Sequence, residues 1–107
     1  MTLNEYQKKA AKTAFYEKDD ILYCALGLTE EAGEAAGHVK KMLRDDNGKL
    51  TKSRKIAIAK ELGDTLWYLA RMAGKLGFDL DEIAEMNLNK IKDRVKRNTQ
   101  HGSGDNR

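Results

Sequence analysis

The sequence predicts an all-α fold: an antiparallel four-helix bundle-like domain with two long central helices, assembled as an oligomer. Three observations carry this. The 107 residues contain no proline and nine glycines, with Ala, Leu, Glu and Lys abundant, a composition that favours helices over strands. Two long stretches, around 21–43 and 51–77, repeat apolar residues at helical spacing. Between them DDNGK at 45–49 is a turn, because Asn-Gly breaks a helix and supplies positive-φ positions.

The first helix is predicted over about 3–17, with Tyr6, Ala10, Thr13 and Ala14 on one face. Asp19 or Asp20 caps the second, which carries the stripe Ile21, Ala25, Leu28, Ala32, Ala35, Val39 and Met42 and ends near Arg44. Thr51 caps the third, and Gly77 suits its C-terminal stop. Asp79 with Glu82 reads as a capping box opening the fourth helix, which reaches about Asn98. Helices two and three are each about 30–40 Å long, and a short turn between them forces them antiparallel. The chain divides into one domain over residues 1–100 and a flexible polar tail over 101–107.

Hydrophobic content of 40% supports a modest core, and a helical domain this small often gains stability by self-association. No segment approaches the roughly 20 apolar residues that span a bilayer. The N-terminus lacks the apolar core of a secretory signal, so cytoplasmic residence is expected. The lone Cys24 has no internal disulfide partner and reads as a small buried residue. A net charge of +3 is small, but Lys90, Lys92, Arg94, Lys96, Arg97 and Arg107 concentrate positive charge at the C-terminal end. Such an end serves nucleic acid, a polyphosphate, or only the helix dipole.

The strongest chemical signal is a pair of acid clusters, Glu30, Glu31 and Glu34 in LTEEAGEAAGHVKK and Glu61 and Asp64 in KELGDTLWYL. Acids three residues apart share a helical face one turn apart. At roughly 100° per residue, Glu31 lies about 60° from Leu28 and about 40° from Ala35, at the border of the core face. His38 continues that line, and Tyr68 continues the line of Asp64. Glu30 points about 100° away from Glu31. Glu34 and Glu61 stand at nearly equal distances from the turn, so the clusters face each other at the same height. Like charges so placed repel unless they share a hard divalent cation, of which Mg2+ fits best and Mn2+ is the alternative. Glu31, Glu34, Glu61 and Asp64 are the expected metal ligands. His38 reads either as a base or phosphate contact or as a half-buried histidine bonded to a neighbour. Gly27, Gly33 and Gly37 lie within a helix and point to close helix packing. No Ser/His/Asp arrangement, Walker loop or glycine-rich phosphate cradle is present, so a covalent mechanism has no support.

Glu30-Glu31-x-x-Glu34, 26 residues, then Glu61-x-x-Asp64 resembles the signature of the MazG-like, all-α nucleoside triphosphate pyrophosphohydrolases. LGLTEEAGEAAGHVKK and KELGDTLWYLA resemble the two core helices, and Asn87-x-x-Lys90-x-x-x-Arg94 resembles the fourth-helix element. NEYQKKAAKTA and GSGDNR are similar to the ends of a small single-domain subgroup. The resemblance implies hydrolysis of a nucleoside triphosphate, deoxy or non-canonical ones included, to the monophosphate and pyrophosphate. That activity serves house-cleaning of the nucleotide pool. It implies Mg2+ on Glu31, Glu34, Glu61 and Asp64, phosphate contacts from Lys90 and Arg94, a hydrogen bond from Asn87, and Tyr68 against the nucleotide. The role of Glu30 stays open. It also implies a homodimer or homotetramer, and it offers the GSGDNR tail as a cover over the bound triphosphate, where composition alone gives a disordered end.

Two other classes compete. A di-iron carboxylate bundle wants Glu-x-x-His pairs, and the matching positions here hold Glu and Asp. A helical nucleic-acid- or partner-binding module would use the basic C-terminal helix. It leaves the acid quartet unexplained, since inward acids repel a polyanion, so nucleic acid is disfavoured as a partner.

Overall fold

The computed structural model describes residues 1–98 and 102–105. Among them are four α-helices and no strand. Helix α1 spans Leu3–Ala11. Thr2 Oγ1 accepts from the Glu5 amide at 3.1 Å and the Glu5 carboxylate accepts from the Thr2 amide at 3.4 Å, which together satisfy two orphan donors. The helix stops six residues before the predicted end at 17. The amides of Lys12, Thr13 and Ala14 bond three residues back, tightening the chain out of the α-helix. The Thr13 hydroxyl bonds the Ala10 carbonyl at 2.7 Å and accepts the Trp67 indole N–H at 2.9 Å. A tertiary contact thus overrides helix propensity.

Helix α2 spans Ile21–Asp45, capped by Asp20, whose carboxylate accepts from the Tyr23 amide at 2.9 Å. Asn47 and Gly48 take φ values of 55° and 73°, the left-handed geometry expected of this turn. Helix α3 spans Lys52–Lys75, capped by Thr51. Leu76 is its C-cap, followed by Gly77 at φ 84°. Helix α4 spans Leu80–Lys96 behind the Asp79–Glu82 capping box.

Helices α2 and α3 form the main antiparallel pair. Gly27 sits on the Tyr68 ring, where any Cβ would enter the ring itself. His38 meets Glu61, and Arg54 reaches back to Asp46 beside the turn. Gly33 and Gly37 face open space, so the close packing expected at all three glycines is present at Gly27 alone. At the other end of α3, the buried Ala70, Ala73 and Leu80 pack with Tyr6, Leu69 and Ile83. Helix α4 packs on α1 and α3, and its backbone does not approach α2. The reason lies at its first turn. The orphan amides of Leu80 and Asp81 donate to Gln7 Oε1 and Asn4 Oδ1 of α1 at 2.9 and 3.0 Å, and Gln7 Nε2 donates to the Ala70 and Phe78 carbonyls.

The fold is open. Its radius of gyration is 16.7 Å, against about 13 Å for a compact chain near this length. Leu22, Leu26, Leu43 and Leu62 are all more than half exposed. No helix among the described residues is long and apolar enough to cross a membrane. The predicted domain boundary at 100/101 lies outside the described residues, as do His101, Asn106 and Arg107 of the tail.

Candidate active site

Facing positions of α2 and α3 bring Glu31, Glu61 and Asp64 together, each offering a carboxylate oxygen within 4.8 Å of the others. Glu31 and Glu61 are half-buried and Asp64 is exposed. Burial, then the charges of Asp64, Glu61 and Glu30 and a hydrogen bond to Glu61, push the Glu31 carboxyl above its usual range. No Lys or Arg forms an ion pair with these three acids among the described residues; the one partner of opposite type is His38 at 3.3 Å from Glu61. Three hard oxygen donors that repel one another suit a divalent cation of the Mg2+ or Mn2+ kind. Glu34, one turn beyond Glu31, is exposed and stands outside this cluster, as does the exposed Glu30.

A cavity of about 350 Å³ adjoins the acids, lined by Thr13, Glu31, Asp64, Trp67 and Tyr68. Trp67 and Tyr68 are its aromatic lining, and Tyr68 joins a ring cluster beyond the cavity. Tyr16 stacks on Tyr23 at 4.4 Å, Tyr23 tilts against Tyr68 at 6.0 Å, and Trp67 meets Tyr68 edge-on at 4.9 Å. A hydrogen bond with Tyr23, burial and the nearby glutamates push the Tyr68 hydroxyl up to about 12, so it stays protonated. An acidic floor beside aromatic faces matches a ligand that joins a polyphosphate to a planar ring.

The α4 residues form a separate depression. Asn87 and Lys90 line a cavity of about 380 Å³ with Ile83, Met86 and Asp105. Lys90 Nζ lies 3.1 Å from Asp105 Oδ1, and the buried Arg94 donates to the Asp105 carbonyl at 2.9 Å. Asp105 thereby sets a carboxylate where the sequence reading places phosphate. The two depressions share no residue. Within one chain, the acid cluster gathers with Tyr68 and His38, while Asn87, Lys90 and Arg94 gather with the tail.

Thr13, Tyr16, Tyr23, Arg54 and Asp46 entered this neighbourhood without a sequence signal. Thr13 and Tyr16 come from the segment between α1 and α2, Tyr23 from α2, Asp46 from the turn and Arg54 from α3, so no single spacing reveals them. Trp67 forms part of the cavity wall.

Residues 21–99 match the family described as MazG nucleotide pyrophosphohydrolase domain. The chain belongs to this family. The match takes in α2, α3 and α4, and with them both acid clusters and Asn87, Lys90 and Arg94. Helix α1 and Thr13 lie before it. The chain is also similar to the Gene 37 protein of Mycobacterium phage L5, 40% identical over 114 aligned positions that cover the whole of both chains. No solved structure matches it. MazG nucleotide pyrophosphohydrolases are typically metal-dependent, and the Glu31–Glu61–Asp64 cluster has the donors for a metal.

Proposed function

We propose that this MazG-family protein hydrolyses a nucleoside triphosphate, with deoxy or non-canonical nucleotides as candidate substrates, between the α and β phosphates. The products are the monophosphate and pyrophosphate, and the role is house-cleaning of nucleotide pools in the cytoplasm. The carrying observation is the convergence of Glu31, Glu61 and Asp64 beside an aromatic cavity.

Mg2+, or Mn2+ in its place, would be held by Glu31, Glu61 and Asp64 and would neutralise phosphate charge and acidify a bound water. Glu34 completes the ligand set or takes the proton from the attacking water, since its exposed carboxylate is not committed to the cluster. Glu30, also exposed, is the second candidate for that role. Tyr68 and Trp67 supply ring faces for the base. Lys90 and Arg94, with Asn87 beside them, would stabilise the leaving pyrophosphate electrostatically where a second copy of the chain brings their depression to the acid cluster and phosphate replaces the Asp105 carboxylate.

A homodimer or homotetramer is the assembly proposed. The chain exposes 7958 Å², where a compact monomer of its mass exposes about 6,000 Å². A second copy laid on the exposed leucines of α2 and α3 would complete a helical bundle. Nucleic acid is not favoured as a partner, because the Glu31, Glu61 and Asp64 cluster would repel a polyanion and a binding module leaves those acids without a role.

Pyrophosphate release from a panel of canonical and modified triphosphates tests the reading. Mg2+-dependent release, absent with EDTA, is expected from at least one member. Release that persists in Glu31→Gln and Asp64→Asn would remove the acid cluster from the mechanism.

A further inference from the structure

Glu61 differs from its neighbours in the cluster, because it has a partner that is not an acid. His38 Nε2 lies 3.3 Å from Glu61 Oε1, and the other ring nitrogen, Nδ1, lies 3.4 Å from Arg54 Nη1. Arg54 Nε donates in turn to Asp46 Oδ2 at 3.0 Å. Four side chains thus make one line from the helix–helix turn to the acid cluster. Each is only about one-fifth exposed, with values of 21%, 20%, 18% and 19% for His38, Glu61, Arg54 and Asp46.

The polarity of this line follows from the donor inventory. A guanidinium offers N–H donors and no acceptor. The His38 Nδ1 that faces Arg54 is therefore the lone-pair nitrogen, which puts the ring proton on Nε2, aimed at Glu61. Asp46 accepts from Arg54, Arg54 donates to His38, and His38 donates to Glu61. A carboxylate tethered by one oxygen resists swinging away from the like charges of Glu31 and Asp64. Partners of this outer-sphere kind commonly set how firmly a metal is held.

We propose that Asp46, Arg54 and His38 form a positioning relay that fixes the His38 tautomer and holds the Glu61 carboxylate toward a divalent cation shared with Glu31 and Asp64. The relay rests on the metal reading of that cluster. His38 then acts on cation affinity through Glu61, in place of the nucleotide contact the sequence reading offered it.

Calorimetric titration with Mn2+ alone, without nucleotide, tests this on wild type, Asp64→Asn, His38→Leu, Arg54→Leu and His38→Gln. Glutamine can donate through its amide nitrogen to Glu61 and accept from Arg54 through its oxygen, so it rebuilds the line. Asp64→Asn should abolish Mn2+ binding. His38→Leu and Arg54→Leu should each weaken it on the order of ten-fold, and His38→Gln should recover most of the loss. Wild-type affinity in both leucine variants, with Asp64→Asn still defective, overturns the relay and leaves the metal centre standing. Failure of wild type to bind Mn2+, or indifference to Asp64→Asn, overturns the metal reading and the relay with it. Should the leucine variants not fold, the 15N spectrum of the wild-type His38 ring decides: a proton on Nε2 supports the relay, and one on Nδ1 overturns it.

Discussion

At the two ends of the α2–α3 pair, acids meet guanidinium groups: Asp19 is held by Arg71, and Asp46 by Arg54. At its centre, Glu31, Glu61 and Asp64 meet one another. The same chemistry is closed in one place and left open in the other. Burial alone works against the Asp19 charge, yet hydrogen bonds from Arg71 and Cys24, with the Arg71 and Lys75 charges, hold its carboxyl below the usual range. Burial and neighbouring acids push Glu31 the opposite way. An acid with its own cation is structural, whereas acids that share no cation leave room for one to be supplied.

The largest expected effect breaks the open end of the comparison. Asp64→Asn should lower pyrophosphate release at least about a hundred-fold, the upper range for losing even an outer-sphere metal partner. It should leave the helical circular dichroism unchanged and raise the metal-free melting temperature, because a repulsion is removed. Mg2+ should raise the melting temperature of wild type and not of this variant. A variant that Mg2+ still stabilises as it does wild type would show that the cation binds elsewhere.

Arg71→Leu attacks the closed end. It strands the Asp19 carboxylate, whose side chain is 7% exposed, and should lower unfolding free energy by about 2 kcal/mol in urea. Metal affinity should not change. A loss of Mn2+ binding in this variant would mean that the two regions are not separate.

The pH dependence sharpens the same contrast. Asp19 has a folded pKa below its ordinary 3.8. Its contribution to stability is therefore complete above that value and lost as pH falls through the lower, folded one. Urea midpoints of wild type should drop across that acid range more steeply than those of Arg71→Leu. Parallel curves would remove Asp19 as the source.

The smallest effects distinguish the glycines on α2. Gly27→Ala collides with the Tyr68 ring and should lower stability by about 1–3 kcal/mol, the usual range for overpacking. Gly33→Ala meets open space and should stabilise the helix by up to about 1 kcal/mol. Thermal melts of the two variants should move in opposite directions. A destabilised Gly33→Ala would place that face against a second copy of the chain.

Much of the helical framework was legible because its determinants are local. Asp20, Thr51 and the Asp79–Glu82 box act within three residues, and Asn47-Gly48 sets its own backbone geometry. The meeting of Glu31 with Glu61 and Asp64 was also readable, since a short turn between two regular helices ties register to residue number. Glu34 shows where that reasoning stops. Its spacing equals that of a ligand, yet its side chain is exposed outside the cluster, because a helical face is wide and spacing alone does not say which edge meets the partner helix.

The sequence by itself determined four helices, their caps, one turn and the matched height of the acids, all consequences of short-range hydrogen bonding and helical period. Tertiary structure alone decided that α1 stops at Ala11 for the Trp67 contact, that Gln7 and Asn4 draw α4 onto α1 and away from α2, and that Arg54 orders His38 against Glu61. Those outcomes depend on which side chain from a distant segment satisfies a given donor or acceptor. A satisfied polar group is a property of the assembled fold, whatever lies beside it along the chain.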